Sequence, residues 1–132
     1  MKKLILLVVF ALVMSFYGCN ESKSSEAKVV SAQEVFDAVY GREGDHQLVD
    51  VRTEAEFGVS HLKNAQNICV TLDNFEERVK GLDKNKPVYV YCKSGGRSAK
   101  AAKILTDIGF TKVYDLQGGI TNWKEKGLET AN

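Results

Sequence analysis

The amino-acid sequence predicts an α/β domain built around a mainly parallel sheet that helices cover on both faces. From residue 29 onward, short β-rich runs alternate with segments of helical periodicity. Three of the helical segments open with the pattern Ser/Thr/Asp-x-x-Glu, which is typical of a helix start. The run at residues 88–91, VYVY, is apolar and β-branched, as expected of a central strand buried on both faces.

The first half of the domain provides three strands and three helices in alternation. Residues 29–30 predict a short strand, and Ser31 and Glu34 form a capping box for a helix to residue 40, with Val35, Phe36 and Val39 on its buried face. A second strand follows at 47–51, then a short helix opened by a box from Thr53 to Glu56. Residues 65–70 predict a third strand, and a box from Asp73 to Glu76 predicts a helix to about residue 80.

The second half begins at the only proline, Pro87, which precedes the strand at 88–91. A long helix is predicted over 98–108, a strand over 112–115 and a last helix over 120–126 that carries Trp123. Ligands of parallel α/β sheets bind beyond the carboxyl ends of the strands. The loop after Tyr91 is therefore the first place to expect a functional site.

Composition restricts the size of the protein and the kind of partner it binds. The chain has 132 residues, 44% of them hydrophobic and 27% charged, which is enough for one domain. Its formal net charge of +1 lacks the basic excess that nucleic-acid binding usually needs, so we expect no nucleic-acid partner.

The N-terminal segment has the pattern of an export signal. A basic start is followed by a hydrophobic run at residues 4–17, then by Gly18, Cys19 and a polar, Ser-rich stretch. We expect residues 1–18 to be a cleaved signal peptide, 19–28 a polar tether and 29–132 the folded domain. Gly18 and Cys19 resemble a bacterial lipoprotein site, which implies a lipid anchor on Cys19 at the periplasmic side of a membrane. Phe16 and Tyr17 depart from that pattern, so a soluble periplasmic or secreted protein is the alternative.

The loop that follows Tyr91 suits a reactive thiolate. It runs Cys92-Lys93-Ser94-Gly95-Gly96-Arg97-Ser98, and its two glycines allow backbone N–H groups to point inward. The following helix N-terminus, Lys93 and Arg97 add positive charge that lowers a thiol pKa. There are two alternatives. Cys92 could be a structural cysteine that only packs in the core, or the loop could bind anions without catalysing a reaction.

Three stretches together resemble the single-domain rhodaneses, over about residues 29–128. They are LVDVRTEAEF at 48–57 with His61 downstream, VYVYCKSGGRSA at 88–99, and LQGGITNWKEKGL at 116–128. The resemblance implies a rhodanese-like fold with a five-stranded parallel sheet flanked by helices. It also implies a catalytic Cys92 that carries sulfur as a persulfide, and substrate binding by the rest of the loop: Lys93, Ser94, Gly95, Gly96, Arg97 and Ser98.

The implied activity is a sulfurtransferase reaction in two displacements. Cys92 would take the outer sulfur of a donor such as thiosulfate and pass it to a thiophilic acceptor, cyanide or a thiol, without a metal or organic cofactor. One alternative is a sulfur-carrier or anion-binding module with little turnover that serves a protein partner. Another is a cysteine phosphatase or arsenate reductase, but those have five residues between Cys and Arg, and this chain has four.

Other polar and aromatic residues are expected to support the site. Asp50, Arg52, Glu56 and His61 follow the second strand and would brace it, although a carboxylate near a histidine also permits acid–base chemistry. Trp123 would pack the last helix onto the core or line the rim of the site. Cys69, in a predicted buried strand, is expected to be a small core side chain rather than a resolving thiol.

Overall fold

The structure, a computed structural model, describes residues 25–41 and 45–132. The expected signal peptide at 1–18 and the expected lipidation site Cys19 lie outside these residues. The described strands are β1 (Lys28–Val30), β2 (Gln47–Asp50), β3 (Gln66–Asn67), β4 (Val88–Tyr91) and β5 (Val113–Leu116). The described helices are α1 (Ala32–Tyr40), α2 (Glu54–Val59), α3 (Phe75–Val79), α4 (Gly96–Asp107) and α5 (Gly119–Glu125).

The five strands form one sheet in the order β1-β5-β4-β2-β3, and every pairing is parallel. The central strand is β4, with Asp50 of β2 beside Tyr91 and Asp115 of β5 beside Val90. The carboxyl ends of the three middle strands therefore lie along one edge. The predicted parallel α/β sheet is confirmed.

Two hydrophobic clusters fill the space between the sheet and its helices. On one face, Val90 packs with Phe75 of α3 and Leu105 of α4. On the other face, Tyr91 packs with Val35 of α1 and Trp123 of α5. Helices thus cover both faces, as predicted, and each buried large apolar side chain contributes roughly 1.5–3 kcal/mol. Within the described ranges, no helix combines the length and apolar character needed to cross a membrane.

Two of the three predicted capping boxes are present. At the start of α1, the Ser31 hydroxyl accepts from the Glu34 amide (3.1 Å) and the Glu34 carboxylate accepts from the Ser31 amide (2.7 Å). Thr53 and Glu56 make the same reciprocal pair at the start of α2. Each box satisfies two amides that have no partner within their helix, which is why the local sequence fixes these two helix starts.

The third capping box does not form, and the third strand is shorter than predicted. The α3 helix begins after Asn74, and the Asp73 box does not form, because the chain first makes a turn in which the Phe75 amide donates to the Leu72 carbonyl. The strand predicted over 65–70 is regular only at Gln66–Asn67. It ends where the Asn67 side chain donates to the carbonyls of Asp50 and Arg52.

Smaller differences concern the ends of other elements. The α4 helix begins at Gly96, two residues earlier than predicted, so Arg97 and Ser98 belong to its first turn. Phe36, predicted to be buried, is 37% exposed and packs at the rim against Trp123. Residues 25–28, assigned to the tether, contact the domain, because β1 begins at Lys28 and the Ser25 hydroxyl donates to the Phe110 carbonyl at 3.0 Å.

Candidate active site

Cys92 lies immediately after the central strand, at the start of the loop that leads into α4. Cys92 is 1% exposed. The loop between β4 and α4 contains only the four residues from Cys92 to Gly95. The N-terminal end of a 12-residue helix, which carries partial positive charge, therefore lies beside the sulfur. The fold places the thiol where an anion is electrostatically favoured.

The Cys92 sulfur has two hydrogen-bond partners. The Gly95 amide donates to Sγ at 3.0 Å, and the Ser98 hydroxyl oxygen lies 3.4 Å from Sγ. Burial raises the pKa of the Cys92 thiol, but the Ser98 hydroxyl and the amides of Ser98, Gly95 and Ser94 together outweigh it, so the pKa lies below its usual value. The site therefore favours a thiolate, or an equivalent anion on sulfur.

The carbonyl groups of the loop are held by the last helix. The amides of Ile120 and Thr121, at the start of α5, donate to the carbonyls of Cys92 (2.9 Å) and Lys93 (3.1 Å). Gly119 makes this approach possible, because a Cβ there would lie 2.5 Å from both carbonyl oxygens and its φ is +60°. The contacts bind the two carbonyls and leave the loop amides to face the sulfur. Gly119 was not predicted as a site residue. The adjacent glycines Gly118 and Gly119, which follow β5 closely, could have indicated a close backbone contact there.

Arg97 is held by Glu56 rather than pointing alone into the loop. Its two terminal nitrogens donate to the two carboxylate oxygens at 2.7 and 2.9 Å, with both side chains about one-third exposed. The Arg97 hydrogen bonds, with smaller contributions from Thr53, lower the pKa of Glu56 to about 2. The structure thus brings together a predicted substrate-binding residue and a predicted supporting residue. Lys93, in contrast, is exposed on the loop surface.

Asp50 and Arg52 form a buried ion pair next to the site. The Arg52 guanidinium donates to Asp50 at 2.7–3.1 Å and to the Ser60 carbonyl at 2.7 Å. Its central carbon lies 5.8 Å from the centroid of the Tyr91 ring, and the Tyr91 hydroxyl accepts from the Leu62 amide at 2.9 Å. The pair therefore fixes the segment between β2 and β3 against the residue that precedes Cys92.

His61 and Trp123 contact the C-terminal segment. The His61 ring stacks on Phe57 with centroids 3.8 Å apart, and its Nδ1 lies 2.9 Å from the Phe57 carbonyl rather than near a carboxylate. The His61 backbone pairs with Ala131, and the Trp123 indole donates to the Glu129 carbonyl at 2.9 Å. These contacts give both residues packing and bracing roles.

Cys69, the second described cysteine, is also buried. It lies outside the regular strand, and its sulfur is 3.1 Å from the Thr71 hydroxyl oxygen. Over residues 25–41 and 45–132, no group of three or more His, Cys, Asp or Glu side chains is placed to hold a metal ion.

The site is that of an α/β protein in which a buried cysteine follows the central strand of a parallel sheet and faces loop amides at a helix start. The sequence model of the Rhodanese-like domain matches residues 32–126, and the chain belongs to this family.

Individual relatives agree with this assignment. The chain is 32% identical over 126 residues to the uncharacterized protein YqhL of Bacillus subtilis, covering 96% of each. It is 36% identical over 98 residues to the thiosulfate sulfurtransferase GlpE of Coxiella burnetii, covering 74% of this chain and 87% of that one. A rhodanese-related protein of Thermoplasma volcanium superposes with a TM-score of 0.69 at 28% identity, covering 79% and 97% of the two chains.

Proposed function

We propose that this chain is a sulfurtransferase that moves a sulfane sulfur through a persulfide on Cys92. The observation that carries the proposal is the surrounding of the Cys92 sulfur, with the Gly95 amide at 3.0 Å and the Ser98 hydroxyl at 3.4 Å. The Gly95 amide is a preorganised donor of the kind that stabilises negative charge on sulfur before and after transfer. The similarity to a protein named thiosulfate sulfurtransferase supports the same chemistry.

The reaction consists of two nucleophilic displacements at sulfur. The Cys92 thiolate attacks the outer sulfur of thiosulfate, so that a new S–S bond forms on the enzyme. The original S–S bond breaks, and sulfite leaves with the bonding electron pair. An acceptor then attacks the outer sulfur of the persulfide, and Cys92 leaves as the thiolate. Cyanide is converted to thiocyanate in this step, whereas a thiol acceptor becomes a persulfide and releases its proton. Each step moves one sulfur atom without its bonding electron pair, so the two displacements need no external oxidant or reductant.

The loop residues have separable roles in this scheme. The amides of Ser94, Gly95 and Ser98 hold the charge on the Cys92 sulfur. Lys93, which is exposed, attracts the anionic donor and the leaving sulfite. Arg97 contributes positive charge from a fixed position, because Glu56 binds both of its terminal nitrogens.

The test is the intact mass of the protein after incubation with thiosulfate. The wild type should gain one sulfur atom that cyanide removes, and Cys92→Ser should gain none. Cys69→Ser is the matched control, because Cys69 is also buried but its sulfur contacts the Thr71 hydroxyl rather than a loop amide, and it should still gain sulfur. If no sulfane donor adds sulfur to the wild type, the sulfurtransferase proposal is wrong.

A sulfur-carrier or anion-binding module for a protein partner is the second candidate. A groove of about 250 Å³ beside the loop is lined by Lys93, Lys124 and the 76% exposed Val59, which suits a larger acidic and apolar acceptor surface. Steady-state turnover with thiosulfate and cyanide separates the two functions. An enzyme turns over repeatedly, whereas a carrier loads Cys92 once and discharges slowly to small acceptors.

We also propose that the protein is exported and anchored by lipid on Cys19 at the periplasmic side of the membrane. The support is the sequence pattern at residues 1–19 and the polar residues that follow it. Radiolabelled palmitate should enter the wild type and not Cys19→Ser. If the wild type takes up no label, the lipid-anchor proposal is wrong and the alternative, a soluble periplasmic or secreted protein, is supported.

A further inference from the structure

The α2 helix, which carries Glu56, depends on contacts rather than on burial for its position. All six of its residues lie in the described part of the chain, and none of them is buried. Helices of this length are not stable alone, and in proteins most helical stability comes from packing of an apolar face. The capping box with Thr53 closes the first turn of α2 but joins it only to the residue before it. The rest of the helix needs another support.

His61 provides such a support at the turn that contains Glu56. Its ring stacks on the ring of Phe57, the residue after Glu56, with centroids 3.8 Å apart and an angle of 8° between the planes. Its Nδ1 lies 2.9 Å from the Phe57 carbonyl oxygen, and since a carbonyl only accepts, Nδ1 carries the hydrogen of this bond. Carbonyls in the last turn of a helix have no partner within the helix. One side chain therefore contacts both the ring and the carbonyl of Phe57.

His61 is in turn fixed by the C-terminal segment, residues 128–132. Its backbone makes an antiparallel pair with Ala131, with N···O distances of 2.9 and 2.7 Å. Two residues before Ala131, the Glu129 carbonyl accepts from the indole of Trp123, which is 1% exposed. The segment is therefore anchored in the hydrophobic core at one point and holds His61 at another. It links α2 to the core from outside the helix.

A second set of contacts holds the end of α2. Ser60, which ends the helix, accepts from the Arg52 guanidinium through its carbonyl (2.7 Å) and from the Lys124 ammonium through its hydroxyl (2.8 Å). These contacts fix the chain after α2 whether or not the His61 ring is present. The ring contributes separately, because it contacts the turn from which Glu56 extends.

We propose that His61 is a positioning residue for Arg97: supported by the C-terminal segment, it holds the turn of α2 from which Glu56 binds the Arg97 guanidinium beside the Cys92 loop. This proposal rests on the proposed transfer of sulfur through Cys92. Arg97 lies in the first turn of α4, directly after the loop, so a displaced ion pair displaces positive charge next to the sulfur. His61 acts through α2 and does not need to touch the reacting atoms.

The two displacements should respond differently to a change at His61. Thiosulfate carries two negative charges and cyanide one, so a fixed positive charge attracts thiosulfate with about twice the Coulomb energy at the same distance. We expect His61→Ala to slow sulfur loading from thiosulfate about fivefold, and removal of that sulfur by cyanide less than about twofold. His61→Phe keeps a ring that can stack on Phe57 and should restore loading to within about twofold of the wild type. Intact mass against time measures both steps in single turnovers.

His46→Ala is the matched control. The His46 ring also contacts an aromatic side chain, Tyr89, edge-on with centroids 6.5 Å apart. It lies just before β2, at the edge of the sheet where the strands begin, whereas Cys92 follows the end of β4. Both steps should run at the wild-type rate in this variant. Equal slowing in His46→Ala and His61→Ala would overturn the proposal.

The Glu56→Gln background tests the route from His61 to Arg97. The ion pair is already weakened there, so His61→Ala should slow loading by less than about twofold further. The same slowing in both backgrounds, equal slowing of loading and removal, or no slowing at all would each contradict the proposal.

Hydrogen exchange tests the support of α2 without any transfer of sulfur. The amides of Phe57 and Ser60, which donate to carbonyls one turn earlier at 3.0 and 3.4 Å, should exchange about fivefold faster in His61→Ala. A chain that ends at Leu128 should show the same increase, and it covers the case in which His61→Ala does not fold. Unchanged exchange in both proteins would show that the proposal is wrong. If the wild type takes up no sulfur but exchange rises as expected, the sulfurtransferase proposal fails and the support of α2 by His61 stands.

Discussion

The Arg97 guanidinium binds both carboxylate oxygens of Glu56, at 2.7 and 2.9 Å, across 41 positions of the chain. Glu56 is also the acidic member of the capping box at the start of α2, where it binds Thr53. One carboxylate therefore joins the start of α2 to the first turn of α4. The α4 helix directly follows the Cys92 loop, so the junction ties α2 to the helix at the end of that loop.

Glu56→Gln should weaken the junction without removing the helix cap, since glutamine can also accept from the Thr53 amide. We expect sulfur loading of Cys92 from thiosulfate to slow about tenfold. The free energy of unfolding should fall by only about 1 kcal/mol, because both side chains of the ion pair are partly exposed to solvent. Loading is measured by intact mass and stability by urea unfolding. Glu54→Gln, two positions before Glu56 in the same helix and outside the capping box, is the control and should change neither quantity appreciably. Equal effects at both positions would contradict a specific role for Glu56.

The same carboxylate predicts a pH dependence of stability. The pKa of Glu56 is about 2 in the fold, below its usual value of 4.5, so the native state binds this proton less readily than the unfolded state. Its contribution is therefore fully present above pH 4.5 and is lost as the pH falls from there toward 2. Urea unfolding between these values should show a steeper loss for the wild type than for Glu56→Gln. Parallel curves for the two proteins would count against the pairing.

Gly119→Ala should damage the site through backbone contact. The added Cβ would lie 2.5 Å from the Cys92 and Lys93 carbonyl oxygens, so α5 or the loop must move. We expect a loss of about 2–3 kcal/mol in the free energy of unfolding and a large loss of sulfur loading. Gly127→Ala is the matched control: its φ is +74°, but nothing lies within 4 Å of the added Cβ. It should cost about 1–2 kcal/mol and leave loading intact; similar loading in both variants would show that the contact is unimportant.

Asp50→Ala should be among the more destabilising single changes. It leaves the buried Arg52 guanidinium without its carboxylate, which typically costs about 3–5 kcal/mol. The exposed pair Lys103 and Asp107 provides the comparison, and Asp107→Ala should cost less than about 1 kcal/mol. Urea unfolding of both variants measures the difference. A cost below 1 kcal/mol for Asp50→Ala would mean that solvent reaches Arg52.

The sequence predicts best those features of the fold that depend only on residues close together in the chain, such as helix starts. The boxes at Ser31 and Thr53 each need residues only three positions apart, and both form. The Asp73 box has the same pattern but fails, because the turn at Leu72 sets the chain direction before the helix starts. Local patterns therefore predict helix starts only where the preceding chain arrives extended.

The site was predictable where the loop sequence itself defines it, at residues 92–98. The pairing of Arg97 with Glu56 and the contact of Gly119 with the loop carbonyls were not predicted. Each joins residues far apart in the chain. Their proximity depends on strand order and register, which a single sequence does not specify.

The parallel arrangement of all five strands also orients the molecule relative to its N-terminus. The chain enters the sheet at Lys28, on the edge where strands begin, whereas Cys92 follows the last residue of β4 on the opposite edge. Four residues of strand separate the two edges by about 13 Å. A protein held at a surface through its N-terminus would thus present the Cys92 loop outward, so large acceptors could approach from the side away from the attachment point.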